Sequence, residues 1–144
     1  MLRNILTIPK AACWLGFAGL IPFFSAAVIG LVWSTPLHEI SLKALLAYGA
    51  VILSFLGGIR WGLAIATSKS SGLLRPLAIS VAPALLGWVA LLVPSSVGLV
   101  LLALGFAVML MADFRLSTAP YWYATLRLPL SIGAIVCLLI GLMI

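Results

Sequence analysis

The stretch that decides the fold runs from Ala47 to Ala66, AYGAVILSFLGGIRWGLAIA, an apolar run with a single charge, Arg60. About 20 such residues cross the hydrocarbon of a bilayer as an α-helix, and a charge inside one calls for a partner or a function. Small residues recur at every fourth position, Ala50, Ser54, Gly58, Gly62 and Ala66, a spacing that lines one helix face and lets another helix approach closely. At about 100° per residue, Arg60 falls nearly opposite Gly58 and groups with Leu53, Gly57 and Ala64. The run therefore offers two packing faces, one small and dry, the other carrying Gly57 and the charge. It reads as the central helix of a small membrane bundle.

The composition agrees. Hydrophobic residues make up 65% of the chain and charged residues 7%, with a mean hydropathy of +1.36, values that a water-soluble domain of 144 residues does not sustain. The chain is expected to be an all-α, polytopic membrane protein forming one domain over residues 1–144. A net charge of +6 is not a nucleic-acid signature here, because the cations are dispersed at helix ends rather than clustered on a polar surface. Cys13 and Cys137 are single cysteines within apolar runs, which argues for small buried hydrophobes rather than a disulfide or a metal site.

Hydrophobic runs and turn signals predict five spans, at about 11–33, 43–66, 76–93, 97–112 and 126–144. The first is too long for a secretory leader and reads as a retained helix, with Pro22 bending its middle and Trp14 and Trp33 near its ends. Residues 34–40, with Pro36, His38 and Glu39, read as a solvated connection, and Lys69-Ser70-Ser71-Gly72 as a turn on the opposite side. Pro76 suits a first helical turn, and Pro94-Ser95-Ser96 is a minimal turn that makes the third and fourth helices antiparallel neighbours. Residues 113–127, DFRLSTAPYWYATLR, form the longest polar connection, expected along the interface with Tyr121, Trp122 and Tyr123 at headgroup level, as also Trp61. Gly133, Cys137 and Gly141 repeat the four-residue spacing in the last helix.

Five helices place Arg3, Lys10, Lys69, Arg75, Arg115 and Arg127 on one side against Lys43 on the other, so the N-terminus is expected inside and the C-terminus outside. A four- or six-helix reading would scatter those charges.

Arg60 lies about 9 Å from the inner end of its helix, within reach of the headgroups by snorkelling. The only acid on its side is Asp113, so a pair or shared network of Arg60 with Asp113 is expected, with Arg127 as a rival partner and a lipid or substrate anion near Arg60 as the other reading. Nothing resembles a catalytic set, a phosphate loop, a metal site or haem ligation, so neither an enzymatic activity nor a cofactor is expected. Five helices do not divide into two equal inverted halves, as many transporters do.

Three segments carry a family resemblance: LGFAGLIPF at Leu15 to Phe23, YGAVILSFLGGIRWGLA at Tyr48 to Ala64, and the D...APYWYATLRLPL pattern from Asp113 to Leu130. Together they resemble the transmembrane-protein-69-like family of small bacterial and mitochondrial membrane proteins of uncharacterised function. The resemblance implies that Gly57, Gly58, Arg60, Trp61, Gly62, Asp113, Trp122, Tyr123 and Arg127 are the positions of interest, and that the membrane is an energy-transducing inner one. The short N-terminus, without an Arg- and Ser-rich transit segment, favours the bacterial inner membrane. The function expected is that of a non-enzymatic accessory or assembly subunit that docks, through its small-residue ridges, onto a larger membrane complex or a second copy. The alternative is a small transporter or channel with an anion or lipid-headgroup site near Arg60.

Overall fold

A computed structural model describes residues 8–67 and 72–144, so Arg3 and the Lys69-Ser70-Ser71 portion of the expected turn lie outside the described residues. The chain is helical: α1 Lys10–Ala18, α2 Ile21–Val32, α3 Leu37–Thr67, α4 Leu74–Leu92, α5 Ser95–Phe114 and α6 Tyr121–Ile140, closed by a 3-10 turn at Gly141–Met143. No strand occurs among the described residues. α1 and α2 together form one span, Lys10–Val32, so five segments among the described residues are long and apolar enough to cross a membrane. Large apolar side chains such as Phe24, Phe55, Trp88, Leu104 and Val108 face outward, as a lipid solvent requires.

The first span breaks ahead of Pro22, which sits in the opening turn of α2. Proline has no N–H to donate back to Ala18, so the helix closes early: Gly19 N–H is shared between the Leu15 and Gly16 carbonyls, and Leu20 N–H turns to Phe17. The Tyr48 hydroxyl of α3 donates to the Gly19 carbonyl at 2.9 Å, which supplies a partner where the helix is interrupted.

Two helices begin more than a turn earlier than expected, whereas α4 and α5 start within two residues of their expected places. α3 starts at Leu37 rather than near 43, so His38 and Glu39 are helical instead of belonging to a loop. Pro36 precedes the first turn and Glu39 lies within it, where a carboxylate complements the positive end of the helix dipole. His38 Nδ1 donates to the Gly30 carbonyl near the end of α2, at 3.2 Å. At the other end, α6 starts at Tyr121 rather than near 126, with Pro120 as its N-cap, so the expected connection of residues 113–127 shrinks to residues 115–120. Asp113 is thereby inside α5 and Arg127 inside α6.

α3 is the hub and packs against α2, α4, α5 and α6. Phe23, Leu45, Leu53, Leu99, Leu102, Phe106 and Leu138 fill the centre, with Phe23 edge-on to Tyr48 and Phe106 at ring separations of 4.9 and 5.9 Å. The ridge on α3 serves this packing only in part. Ala50 lies against Gly87 of α4, where an added Cβ would stand 3.0 Å from the Ala50 carbonyl oxygen, and Ser54 donates to the Ala50 carbonyl. On α3 the closest approach to α4 is made by Gly57: a Cβ there would stand 2.5 Å from the Ser80 carbonyl oxygen. A Cβ at Gly58 or Gly62 would meet nothing within 4 Å among the described residues, and both glycines are exposed, as is Ala66. The dry seam inside the chain therefore runs through Ala50 and Gly57, and the Gly58–Gly62–Ala66 half of the ridge faces away from the bundle.

Candidate functional site

The antiparallel order brings the C-terminal ends of α3 and α5 and the N-terminal end of α6 to one end of the bundle. Each supplies one charged side chain. Asp113, with no exposed side-chain area, accepts from Arg60 Nη1 on Oδ1 at 3.2 Å and from Arg127 Nε on Oδ2 at 3.1 Å. The two arginines are thus not rivals: each carboxylate oxygen takes one. The Arg127 side chain is 7% exposed and that of Arg60 16%, so both guanidinium groups are largely withdrawn from solvent. Two cations and one anion leave the cluster with a net charge of +1.

The α6 face that carries Arg127 also carries Tyr123 and Ser131, because residues four apart stack on one side of a helix. All three hold a buried polar atom without a partner among the described residues: Tyr123 OH, Arg127 Nη2 and Ser131 Oγ. Tyr123 stands one helical turn before Arg127 on that face. The hydroxyl of this aromatic, expected at headgroup level, is buried and turns into the bundle. Trp122 is half-buried with its ring 6.4 Å from that of Tyr123, whereas Tyr121 is 92% exposed and Trp61 41%. Ser131 was not singled out by the sequence; its only signal is its place two turns beyond Tyr123 and one beyond Arg127 on the same face.

Three cavities surround the cluster. One, of about 340 Å³, lies between α1, α2, α3 and α6 and is lined by Gly16, Phe23, Ile52, Phe55, Tyr123 and Arg127 among others. A second, of about 370 Å³, sits at the end of the bundle between Arg60, Thr67, Arg75, Ser80 and Thr118. The third, of about 610 Å³, is an apolar groove between α4 and α5 that shares Arg60 and Ile79 with the second. Arg60 and Arg127 therefore open from one carboxylate toward different cavities. No group of three or more His, Cys, Asp or Glu residues is placed to hold a metal ion among the described residues. Cys13 is half-buried and Cys137 buried.

Residues 8–143 match a family described as protein of unknown function (DUF3429). Transmembrane protein 69 of Xenopus tropicalis is 42% identical over 134 residues, covering 88% of this chain and 51% of that protein. Transmembrane protein 69 of Mus musculus is 31% identical over 147 residues, covering 97% of this chain and 58% of that protein. The chain thus spans about half the length of these relatives. No solved structure matches.

Proposed function

We propose, on the premise that this chain belongs to the DUF3429 family of proteins of unknown function, that it is a non-catalytic accessory or assembly subunit of a larger complex in a bacterial inner membrane. The observation that carries this reading is the bare half of the α3 ridge, where Gly58 and Gly62 leave open space on an exposed face. Small residues at membrane helix interfaces let backbones come close, and packing is the main driving force where lipid removes the hydrophobic one. In this reading the Arg60–Asp113–Arg127 cluster holds the bundle together and the ridge meets the partner.

The test is a pull-down of the tagged chain from native membranes in mild detergent, comparing wild type with Gly58→Leu. Among the described residues nothing stands within 4 Å of a Cβ at position 58, so the substituted chain has room to fold. A partner held by wild type and lost from the variant supports the reading. Equal capture by both, or a lone monomer from wild type, overturns it.

A second reading, a small transporter or channel for an anion, has the cavity between Arg60 and Arg75 in its favour, since two cations line it. Proteoliposome anion flux that is lost in Arg60→Ala and kept in Lys43→Ala supports it; flux equal to that of empty vesicles removes it.

A further inference from the structure

The cleft between α1, α2, α3 and α6 has features that docking through α3 does not use. Its walls are apolar side chains and glycine, apart from Trp122, Tyr123 and Arg127. Arg127, only 6% exposed, spends Nε on Asp113 and leaves Nη2 without a partner among the described residues, and the Tyr123 hydroxyl is likewise buried and unpartnered among them. Two buried donors one helical turn apart thus remain unused in a cluster of net charge +1. A buried charge without compensation is unfavourable in a low-dielectric interior, so an anion placed here gains more than the same anion in water.

We propose that this cleft binds a single-chain, long-chain carboxylate drawn from the bilayer. As the side chains stand, Arg127 Nη2 and the Tyr123 hydroxyl present almost no surface, so binding turns them toward the cleft, where one carboxylate oxygen accepts from each and the cluster is neutralised. The hydrocarbon chain lies along Gly16, Leu20, Ile52 and Phe55. A carboxylate matches the donor set because it offers two acceptor oxygens and full negative charge. A cavity of about 340 Å³ lies at the small end of ligand pockets, which suits one chain rather than the two chains and large headgroup of a phospholipid. Entry is from the side of α1, which has no buried residue and forms the least embedded wall of the cleft.

The test uses the whole chain in nanodiscs of neutral phosphatidylcholine, with palmitate as the probe and hexadecan-1-ol as its uncharged counterpart of the same length. Palmitate is expected to raise the unfolding temperature in a saturable manner, and hexadecan-1-ol not to. Tyr123→Phe deletes an unpaired hydroxyl, so the ligand-free protein remains folded while palmitate affinity falls about tenfold. Arg75→Gln, which touches only the neighbouring cavity, leaves palmitate affinity unchanged. Equal shifts from palmitate and hexadecan-1-ol, tighter binding of hexadecyl phosphate than of palmitate, or unchanged palmitate affinity in Tyr123→Phe would each overturn the assignment. Loss of binding in Arg75→Gln would also do so, by placing the anion in the other cavity.

Discussion

Replacing Asp113 by Asn keeps the side chain's shape and removes the one negative charge of the buried cluster. In the folded protein that carboxylate is fully enclosed and takes one guanidinium on each oxygen, at 3.2 and 3.1 Å. An amide oxygen still accepts from one arginine, but the amide NH2 then faces the other donor to donor, and the cluster charge rises from +1 to +2. Removing one partner of a buried ion pair costs about 3–5 kcal/mol. The lower end of that range applies here, because Arg60 is 16% exposed and about 10 Å from the end of α3, close enough to turn toward the headgroups. Arg60→Gln alone is milder, since it leaves Asp113 and Arg127 as a neutral pair. Adding Arg60→Gln to Asp113→Asn restores the cluster to +1, so the double variant should be more stable than the sum of single losses by about 1–3 kcal/mol. Equilibrium unfolding in mixed detergent micelles, followed by tryptophan fluorescence, reads all four proteins. Additive losses in the cycle, or an Asp113→Asn protein within about 0.5 kcal/mol of wild type, would refute the account.

Two adjacent glycines should respond with opposite sign. Gly57→Ala forces a Cβ to within 2.5 Å of the Ser80 carbonyl oxygen and should destabilise by about 1–3 kcal/mol, whereas Gly58→Ala meets open space and should stabilise by about 0.5–1 kcal/mol through helix propensity; the same unfolding titration checks both. The cation bias predicts an inside N-terminus, so in intact cells an impermeant maleimide should label Lys43→Cys and spare Arg115→Cys, both positions being exposed, and the reverse pattern would invert the orientation.

The spans were legible because each hydrocarbon crossing needs a long apolar run, and such runs, from Lys10–Val32 to Tyr121–Met143, stand out against the few polar connections. Arg60 was legible as a site for the converse reason, as a lone charge inside such a run. The helix starts were harder to place, because a polar or aromatic residue near the membrane surface is equally at home in a connection and in a first turn. Pro36 and Pro120 decide those cases by occupying positions where no N–H is needed, and the error at α6 carried furthest. With the helix begun near 126, Arg127 belongs to its first turn and Tyr123 to the interface. Begun at Tyr121, it stacks Tyr123, Arg127 and Ser131 at four-residue intervals on one face, with Arg127 against Asp113.

Which way a helix turns about its own axis is the least legible property, and the reason lies in the solvent. In water an apolar stripe must face the core, so the pattern announces the rotation. In lipid the surroundings are as apolar as the core, and Phe55 outside and Phe106 inside look alike in a sequence. Small residues are no better guides, since Gly57 is pressed against α4 while Gly58 beside it is bare. Only groups that the bilayer excludes fix the rotation unambiguously. Asp113 on α5, Arg60 on α3 and Arg127 on α6 all have to turn inward at one depth, and the turn that joins them brings Ala50 and Gly57 of α3 onto α4 while leaving Gly58 and Gly62 outward. The charged cluster and the bare ridge are therefore two consequences of a single rotation of α3.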